Sequence, residues 1–443
     1  MTDCDLIVVG GGPAGLAHAF WRLRAEPTMN VRVVEAAPRV GGWLQTTEVD
    51  GYQLEHGPQG FRPDDATDTF LAAVGLEDEV ISCAPSAQRR FVVKRGRLHE
   101  LPGRPRELLA SRLVSLPAKL RLLWELGARS VSAPGESVAA FVQRRFGRAA
   151  VPVAEAMMHG IFAGDAHALE VAATLPAAAA MEREYGSLLK GMGARARARR
   201  ERGEQARPAV CTFRRGMAGS VDALAGALGD AVVTRARVDS VARAPSGYAV
   251  RGEGIELHAP EVCVTAPPQA AGQMLRGLDA ALADCLAEIP TVAVASCYLG
   301  FDHAAVPPDV DGFGFLAPQG ELGSVLGAIY TSSVFPHQAP EGSALFRVMS
   351  GGHAYPHEVE RSDEQLLEQA SDVLRDLLGI YQRPTFRYVS RARAAIPQYV
   401  HGHSARMQAA AAKLEQHPGL KLRGAGYRKV SVVGQWTQEG SAP

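Results

Sequence analysis

Three glycines near the start of the chain have the spacing of a phosphate-binding turn. Gly10, Gly12 and Gly15 follow the apolar run LIVV at 6–9 and open a segment of helical character. The first glycine lets the chain turn sharply, the second lets the backbone approach a pyrophosphate, and the third lets the helix pack closely on the strand. The phosphate charge then faces the N-terminus of the helix. The motif therefore predicts a dinucleotide-binding turn.

An acidic residue and a second pair of glycines extend this motif. Glu35 ends the strand-like run VRVVEA at 31–36, and a carboxylate at this place can hold both ribose hydroxyls of an unphosphorylated adenosine. Beyond it, Arg39, Gly41 and Gly42 complete an E-x3-R-x-G-G pattern. This extension is similar to that of FAD-dependent oxidoreductases whose FAD domain is discontinuous in sequence. We therefore expect FAD as the cofactor.

The elements that must position these residues predict an α/β fold. The run at 6–9, the helical segment and the run at 31–36 form a β-α-β unit. Residues 101–160 carry apolar side chains at helical spacing, and strand-like runs return in the second half of the chain. The stretch 362–379 predicts an amphipathic helix that begins with a capping box. We expect a discontinuous Rossmann-like FAD-binding domain, a mixed-sheet substrate domain and a helical insertion.

The expected division of the chain has three parts. The FAD-binding domain comprises 1–85, 208–270 and 388–443, the substrate-binding domain comprises 86–100 and 271–387, and a helical domain, a candidate for membrane docking, comprises 101–207. The arginine-rich stretch 193–209 contains few apolar side chains other than alanine. It predicts a solvated helix end and linker, with a binding patch as the alternative.

Composition narrows the classes of partner. The 443 residues contain 47 Lys and Arg and 47 Asp and Glu, so no net charge favours binding to a nucleic acid. With 47% hydrophobic residues, the chain is typical of an α/β protein that binds a small molecule. The six cysteines have neither CxxC nor metal-ligand spacing, so we expect no disulfide framework and no metal. We also expect no export leader and no membrane span, and therefore a cytoplasmic location.

Four further motifs resemble those of the protoporphyrinogen oxidase family. They are GGWLQTTEVDGYQLEHGPQGFRP at 41–63, HGIFAGD at 159–165, DGFGFLAP at 311–318 and AIPQYVHGH at 395–403, in the order in which the family has them. The resemblance implies a flavoenzyme of haem biosynthesis that oxidises protoporphyrinogen IX to protoporphyrin IX with molecular oxygen. The substrate is a broad apolar macrocycle with two propionates, so the protein has mainly to orient it beside the flavin.

The resemblance also implies which residues bind the substrate. Arg90, in QRRFVV, is expected to pair with a propionate through its planar guanidinium. Phe313 and Leu316 are expected to sandwich the macrocycle, and Met157 and Gly160 to form a third wall. From spacing alone, the favoured interpretation is a surface arginine for Arg90 and a core residue for Phe313; the resemblance reverses this preference for Arg90.

The expected cofactor contacts extend beyond the first glycine turn. They are Gly10, Gly11, Gly12, Pro13, Ala14, Gly15, Glu35, Arg39, Gly42, Trp43, Gly57, Pro58, Gln59, Gly60, Val238, Val430, Ser431 and Val432. The sequence departs from the pattern of the family at one of these positions, Gln59, and at Lys429, the residue before Val430. Gln59 lies in the GPQG turn, and Lys429 stands where the family usually has a glycine.

The end of the chain departs further from the family. No Asp-Cys segment follows Val432, and VGQWTQEGSAP is short and rich in turn residues. We therefore expect the family's last helix, whose N-terminus faces the flavin, to be missing. Because a helix N-terminus stabilises negative charge by about 0.3 to 2 kcal/mol, the flavin is then expected to be bound more loosely and to be harder to reduce.

Several alternatives stay open at this point. Coproporphyrinogen III, with four propionates, is an alternative substrate. The protein could instead be a weakly active or inactive FAD-binding relative, or a flavin oxidase of an amine or a carotenoid precursor. Between residues 85 and 130 the chain has eleven basic residues and three acidic ones. This excess of positive charge suits either a solvated helical face or peripheral contact with the inner face of the cell membrane. A homodimer is also open.

Overall fold

A parallel five-stranded sheet carries the glycine turn. The computed structural model describes residues 3–102, 121, 124–127, 131–203, 207–427 and 430–437. The strand order is β19-β13-β1-β2-β9. The strands are β1 (Leu6–Val9), β2 (Val31–Val34), β9 (Val232–Val233), β13 (Glu261–Val264) and β19 (Leu420–Leu422). Every residue of β1 is buried, which explains its continuous apolar sequence, since a central parallel strand is covered on both faces.

A second, mixed sheet has seven strands in the order β18-β14-β17-β16-β15-β6-β7. They are β6 (Arg90–Lys94), β7 (Arg97–Glu100), β14 (Thr291–Asp302), β15 (Gly314–Leu316), β16 (Val325–Ile329), β17 (Ser343–Gly351) and β18 (Phe386–Pro397). The pairing is antiparallel except between β6 and β15. Because β18 pairs with β14, the predicted domain boundary at 387/388 falls inside a strand of this sheet and is corrected to a position beyond it.

The remaining strands form smaller sheets. Two hairpin strands are β3 (Thr46–Val49) and β4 (Tyr52–Glu55), and a second pair is β5 (Val80–Ser82) with β8 (Cys211–Phe213). A three-stranded sheet contains β10 (Val238–Ala244), β11 (Gly247–Gly252) and β12 (Ile255–Ala259).

Helices cover both large sheets and form a separate group in the middle of the chain. They are α1 (Pro13–Ala25), α2 (Asp65–Val74), α3 (Val138–Phe146), α4 (Val151–Phe162), α5 (Val171–Thr174), α6 (Pro176–Tyr185), α7 (Leu188–Glu201), α8 (Ala218–Leu228), α9 (Pro268–Leu275), α10 (Ala280–Ala287), α11 (Thr331–Val334), α12 (Asp363–Leu378), α13 (His403–Leu414) and α14 (Val432–Trp436). The capping box predicted for α12 is confirmed, between Ser362 and Gln365.

The helical insertion is present as α3–α7, and α7 ends in the predicted solvated arginine-rich stretch. Part of the basic segment lies outside the described residues, namely Arg104, Arg106, Arg112, Lys119 and Arg129. In the described part of the chain, no helix has the length and apolar character that crossing a bilayer requires.

At the end of the chain, where the sequence predicts that the family's last helix is missing, the structure has a five-residue helix at 432–436. Ser431 caps this short helix by accepting a hydrogen bond from the Gly434 N–H, and Trp436 is fully buried. The indole stacks on Phe70 with 4.7 Å between ring centroids. Trp21 Nε1 donates to the Trp436 carbonyl at 2.7 Å. The turn-rich composition misled the prediction because one buried indole anchors the segment; Lys429 lies outside the described residues.

Candidate active site

One cavity of about 1340 Å³ lies between the two large sheets. Its wall runs from the glycine turn through the turn at 57–60 to the face of the seven-stranded sheet, and residues 424–427 and 430–435 close another side. Pockets for drug-sized ligands usually have about 300 to 1000 Å³. The cavity therefore has room for a dinucleotide and for part of a second ligand.

The glycine turn has the geometry that the sequence predicts. Gly10 has a φ of +110°, and a Cβ on Gly15 would lie 2.0 Å from the Gly10 carbonyl oxygen, so neither position accepts a side chain without strain. Gly12 instead faces open space, with no atom within 4 Å of a Cβ built there. It precedes the first turn of α1, so the backbone N–H groups of that turn are available to a phosphate.

Glu35 is held by two backbone donors beside the turn. Its Oε2 accepts from the Gly11 N–H at 2.7 Å, and its Oε1 accepts from the Ala37 N–H at 2.8 Å. Glu35 lines the cavity, whereas Gly11 does not. Gly11 therefore positions the carboxylate.

Two other predicted contacts also act from behind the wall. Gly15 and Arg39 do not line the cavity. Arg39 donates to the carbonyl oxygens of Val40 and Gly42, at 2.9 and 2.8 Å. It therefore fixes the loop that presents Gly42, and Gly15 allows the close packing of α1. All the other predicted cofactor residues line the cavity: Gly10, Gly12, Pro13, Ala14, Glu35, Gly42, Trp43, Gly57, Pro58, Gln59, Gly60, Val238, Val430, Ser431 and Val432.

The turn at 57–60 presents a buried amide to the cavity. A Cβ on Gly57 would lie 2.2 Å from the Trp43 carbonyl oxygen, so the turn packs directly on that backbone. Gln59 Nε2 donates to Gln338 Oε1 at 2.6 Å, while Gln59 Oε1 has no partner among the described residues. An unpaired buried acceptor is unfavourable unless a ligand supplies the donor.

The predicted substrate residues form a group at one side of the cavity. Arg90 is paired in register with Gly314, and its guanidinium lies 4.9 Å from the centroid of the Phe313 ring. Burial lowers the pKa of Arg90. In the described part of the chain it has neither a hydrogen bond nor an ion pair from its side chain, in contrast to Arg89, which pairs with Glu100 at 3.3 Å.

Leu316 packs closely on α4 in the same group. A Cβ on Gly160 would lie 2.8 Å from Leu316 Cδ2, and His159 Nδ1 hydrogen bonds with the Ala317 carbonyl at 2.7 Å. Met157, on the same helix, is 42% exposed.

Of the five predicted substrate residues, Gly160 lines the cavity and Arg90, Phe313, Leu316 and Met157 do not. Phe313 packs in one apolar cluster with Ile329, and Ile329 does line the cavity. The group therefore adjoins the cavity instead of forming its wall.

The structure also reveals cavity residues that the sequence reasoning missed. Ser296, Arg347 and Ser390 come from three strands of the seven-stranded sheet, and His56 precedes the turn at 57–60. Arg347 is the single charge in the strand SALFRVMSG, and a lone charge in an apolar strand is a signal that could have found it.

Comparison with known proteins supports a specific class. Residues 13–440 match the family model of flavin containing amine oxidoreductases. The chain is 32% identical to the chloroplastic protoporphyrinogen oxidase of Oryza sativa subsp. japonica, over 96% of this chain and 84% of that protein. It is 28% identical to the coproporphyrinogen III oxidase of Bacillus subtilis (strain 168), over 96% of this chain and 94% of that protein. A crystal structure from Exiguobacterium sp. 255-15 has a TM-score of 0.81 and 25% identity, covering 98% of this chain and 97% of that chain.

The fold and the cavity thus define an FAD-dependent oxidoreductase. The chain belongs to the flavin containing amine oxidoreductases and, within them, to the protoporphyrinogen oxidase family. The residues present fit FAD, because Gly12 leaves open space at a helix N-terminus, Glu35 is fixed beside it, and Gln59 offers an unpaired acceptor. The resemblance of the motifs and the predicted α/β fold are confirmed.

Proposed function

We propose that this chain oxidises protoporphyrinogen IX to protoporphyrin IX, with molecular oxygen as the acceptor, in haem biosynthesis. The observation that carries the proposal is the pair formed by Arg90 and Phe313. An exposed cation, which has no carboxylate partner among the described residues, lies on an aromatic ring beside a cavity large enough for FAD and more. The rice relative is named for this oxidation, which supports the choice of substrate.

The reaction removes six electrons and six protons from the macrocycle. Three molecules of oxygen take them up as three molecules of hydrogen peroxide. Bound FAD supplies the chemistry, since it accepts each hydride and passes the electrons to oxygen. The residues of this chain bind and orient the substrate.

Arg90 is proposed to take one propionate in bidentate fashion, and Phe313 and Leu316 to cover the apolar macrocycle. Gly314 has a φ of +136°, and a Cβ there would lie 2.0 Å from the Ala328 carbonyl oxygen, so only glycine lets the chain approach the neighbouring strand this closely. Met157 and Gly160, on the helix α4 that packs on Leu316, are proposed to form a third wall.

Coproporphyrinogen III is the second candidate because of the relative from Bacillus subtilis. Its four propionates require more cations than the two of protoporphyrinogen. Near the proposed substrate group, Arg89 is already paired with Glu100, which leaves Arg90 and the cavity-lining Arg62 as two cations for the two propionates of protoporphyrinogen. The smaller number of propionates is therefore favoured.

We also propose a cytoplasmic protein that touches the inner face of the cell membrane through its helical part. Exposed apolar side chains there are Trp124, Leu126, Val131, Met157, Ile161 and Met192. Such side chains insert at the acyl boundary of a bilayer when basic residues accompany them. Flotation with anionic vesicles tests the contact.

We further propose that the chain forms a homodimer, which light scattering tests. The three-part domain division, with its last boundary moved beyond β18, is likewise proposed.

The test of the activity uses the purified, FAD-loaded protein. Each porphyrinogen is added in turn, and porphyrin fluorescence and oxygen uptake are recorded together. We expect protoporphyrin to form with three oxygen molecules consumed per product. A yellow protein that forms no porphyrin from either substrate would overturn the proposal, and faster turnover of coproporphyrinogen would replace the substrate.

The role of Arg90 is tested by Arg90→Ala, with Arg97→Ala on the next strand as the matched control. A hydrogen bond to a charged group contributes about 1.5 to 3 kcal/mol, so kcat/KM should fall about 10- to 100-fold. The exposed Arg97 should not matter. Unchanged kinetics of the Arg90 variant would show that another group reads the propionate.

A further inference from the structure

Arg347 is a buried cation in the wall of the cavity. It is 5% exposed and lies on β17 beside the turn at 57–60. The other cations that line the cavity within the described residues are Arg62, Arg199 and Arg237, and all three are exposed. A buried charge is costly unless an opposite charge compensates it.

The partners of Arg347 are all neutral. Nε and Nη2 donate to Ser296 Oγ at 3.1 and 3.0 Å, and Nη1 donates to the Gly57 carbonyl oxygen at 2.7 Å. The guanidinium also lies 5.6 Å from the centroid of the Tyr298 ring. No carboxylate lies within ion-pair distance of Arg347 among the described residues.

The buried acid Glu55 does not neutralise this cation by contact. Glu55 directs its side chain to the Met217 N–H, at 2.8 Å, and to Thr46 Oγ1, at 3.0 Å. Burial raises the pKa of Glu55 to about 7, so much of this carboxyl is protonated at neutral pH. The pKa of His56 is lowered by burial and by Arg347, which leaves its imidazole neutral.

A positive charge in this position has a use when FAD is reduced. Hydride transfer brings two electrons and one proton to the flavin, so the cofactor gains one negative charge. Fixed cations stabilise such charge well in a cavity from which water is excluded. We propose that Arg347 supplies this positive charge to reduced FAD, and that Ser296 and the Gly57 carbonyl hold its guanidinium in place.

The contacts favour reduced flavin over a substrate propionate as the anion. A propionate needs a free edge of the guanidinium for bidentate binding. Ser296 accepts from both donors of the Nε–Nη2 edge, and the Gly57 carbonyl accepts from Nη1. Gly57 belongs to the turn that lines the cofactor cavity, so Arg347 is tied directly to the cofactor wall. The proposal requires FAD but does not depend on the identity of the substrate.

The test is the reduction potential of bound FAD in the holoenzyme, measured against a reference dye without porphyrinogen. Arg347→Met should weaken binding of reduced FAD relative to oxidised FAD at least tenfold, which lowers the potential by about 30 mV for a two-electron couple. Arg347→Lys should restore most of the loss. Arg393→Met, on β18 of the same sheet, is the control, because Arg393 is exposed and pairs with Glu360.

An unchanged potential in the Arg347→Met variant would overturn the proposal. A tenfold loss of affinity for protoporphyrin IX with an unchanged potential would overturn it in favour of a propionate contact. If the Met variant does not retain FAD, Ser296→Ala keeps the charge but loosens its position, and a smaller fall in potential is expected. A potential equal to that of the wild type in this variant would count against the proposal.

Discussion

The two ends of the cavity are built by different physical means. The dinucleotide end, formed by Gly10–Gly15 and Glu35, depends on backbone geometry and on main-chain N–H donors. The sheet end, formed by Ser296, Arg347 and Ser390, depends on polar side chains from strands that are distant in sequence. Steric rules therefore dominate at the first end, and electrostatic rules dominate at the second.

Because of this difference, the two ends should respond differently to an added side-chain atom and to a change of pH. A backbone contact leaves no space for an added atom, whatever the pH or the salt concentration. A buried ionisable group responds to pH, because its desolvation favours the neutral form of a carboxyl. Substitutions at the dinucleotide end should therefore lower stability equally at every pH, whereas the contribution of the sheet end to stability should change with pH.

The largest effect on stability is expected from Trp436→Ala, which removes the support behind the dinucleotide end. Trp436 is fully buried and packs on Phe61 and Phe70 with centroid distances of 5.2 and 4.7 Å. Replacing a buried Trp by Ala costs about 3 to 5 kcal/mol. The free energy of unfolding in urea measures the loss, and Tyr381→Ala, at an 81% exposed position, is the control. Equal stability of the two variants would show that the 432–436 helix is not anchored as described.

A smaller loss is expected from Gly15→Ala at the dinucleotide end. The new Cβ would lie 2.0 Å from the Gly10 carbonyl oxygen, so α1 has to move away from the turn. Overpacking of this kind costs about 1 to 3 kcal/mol, and the displaced helix also weakens FAD binding. Thermal unfolding without FAD and FAD content after purification measure the two effects. A loss of stability in Gly15→Ala that changed with pH would contradict the view that steric packing dominates at the dinucleotide end.

A pH dependence that the dinucleotide end lacks is expected next to the sheet end, at Glu55, whose backbone carbonyl accepts a hydrogen bond from Tyr298 of the seven-stranded sheet. The pKa of Glu55 is raised from 4.5 to about 7 by burial, so the folded protein holds a proton that the unfolded chain has released between these values. The free energy of unfolding should therefore fall as the pH rises from about 4.5 to 7, by about 1.4 kcal/mol per unit of pKa difference.

Glu55→Gln should flatten this dependence, because the amide does not ionise. Urea unfolding at pH 5 and at pH 8 measures the slope. Glu253→Gln, at an exposed position, should retain the wild-type slope. The same slope in all three proteins would contradict the assignment to Glu55.

The smallest effect on stability is expected from Gly12→Ala. Its φ is −72° and no atom lies within 4 Å of the new Cβ, so the protein without FAD should unfold within about 0.5 kcal/mol of the wild type. The methyl group occupies the space left for the pyrophosphate, so the dissociation constant for FAD should rise about tenfold, or about 1.4 kcal/mol. Titration with FAD measures it. Unchanged FAD affinity would place the pyrophosphate elsewhere.

Sequence reasoning succeeded where local geometry decides the outcome. The glycine turn, the capping box at Ser362 and Gln365, and the buried β1 all follow from residue type and spacing within a few positions. It failed at the short 432–436 helix, because the anchor of this helix is a contact between Trp436 and residues about 370 positions earlier, such as Phe70. It also divided the chain within β18, because the pairing of this strand with β14 is not visible in its own residues.

The sequence by itself determined the family through its four further motifs, and it determined the cofactor and the fold class through the glycines and the one acid that define a backbone cradle for FAD. Only the tertiary structure decided which residues surround the cavity. In the structure Gly11 and Arg39 do not line the cavity but hold residues that do, whereas Arg347, which the sequence did not indicate, lies in its wall. The physical reason is that backbone conformation is written locally, whereas the field inside a cavity comes from charges and hydrogen bonds that strand pairing assembles over long separations.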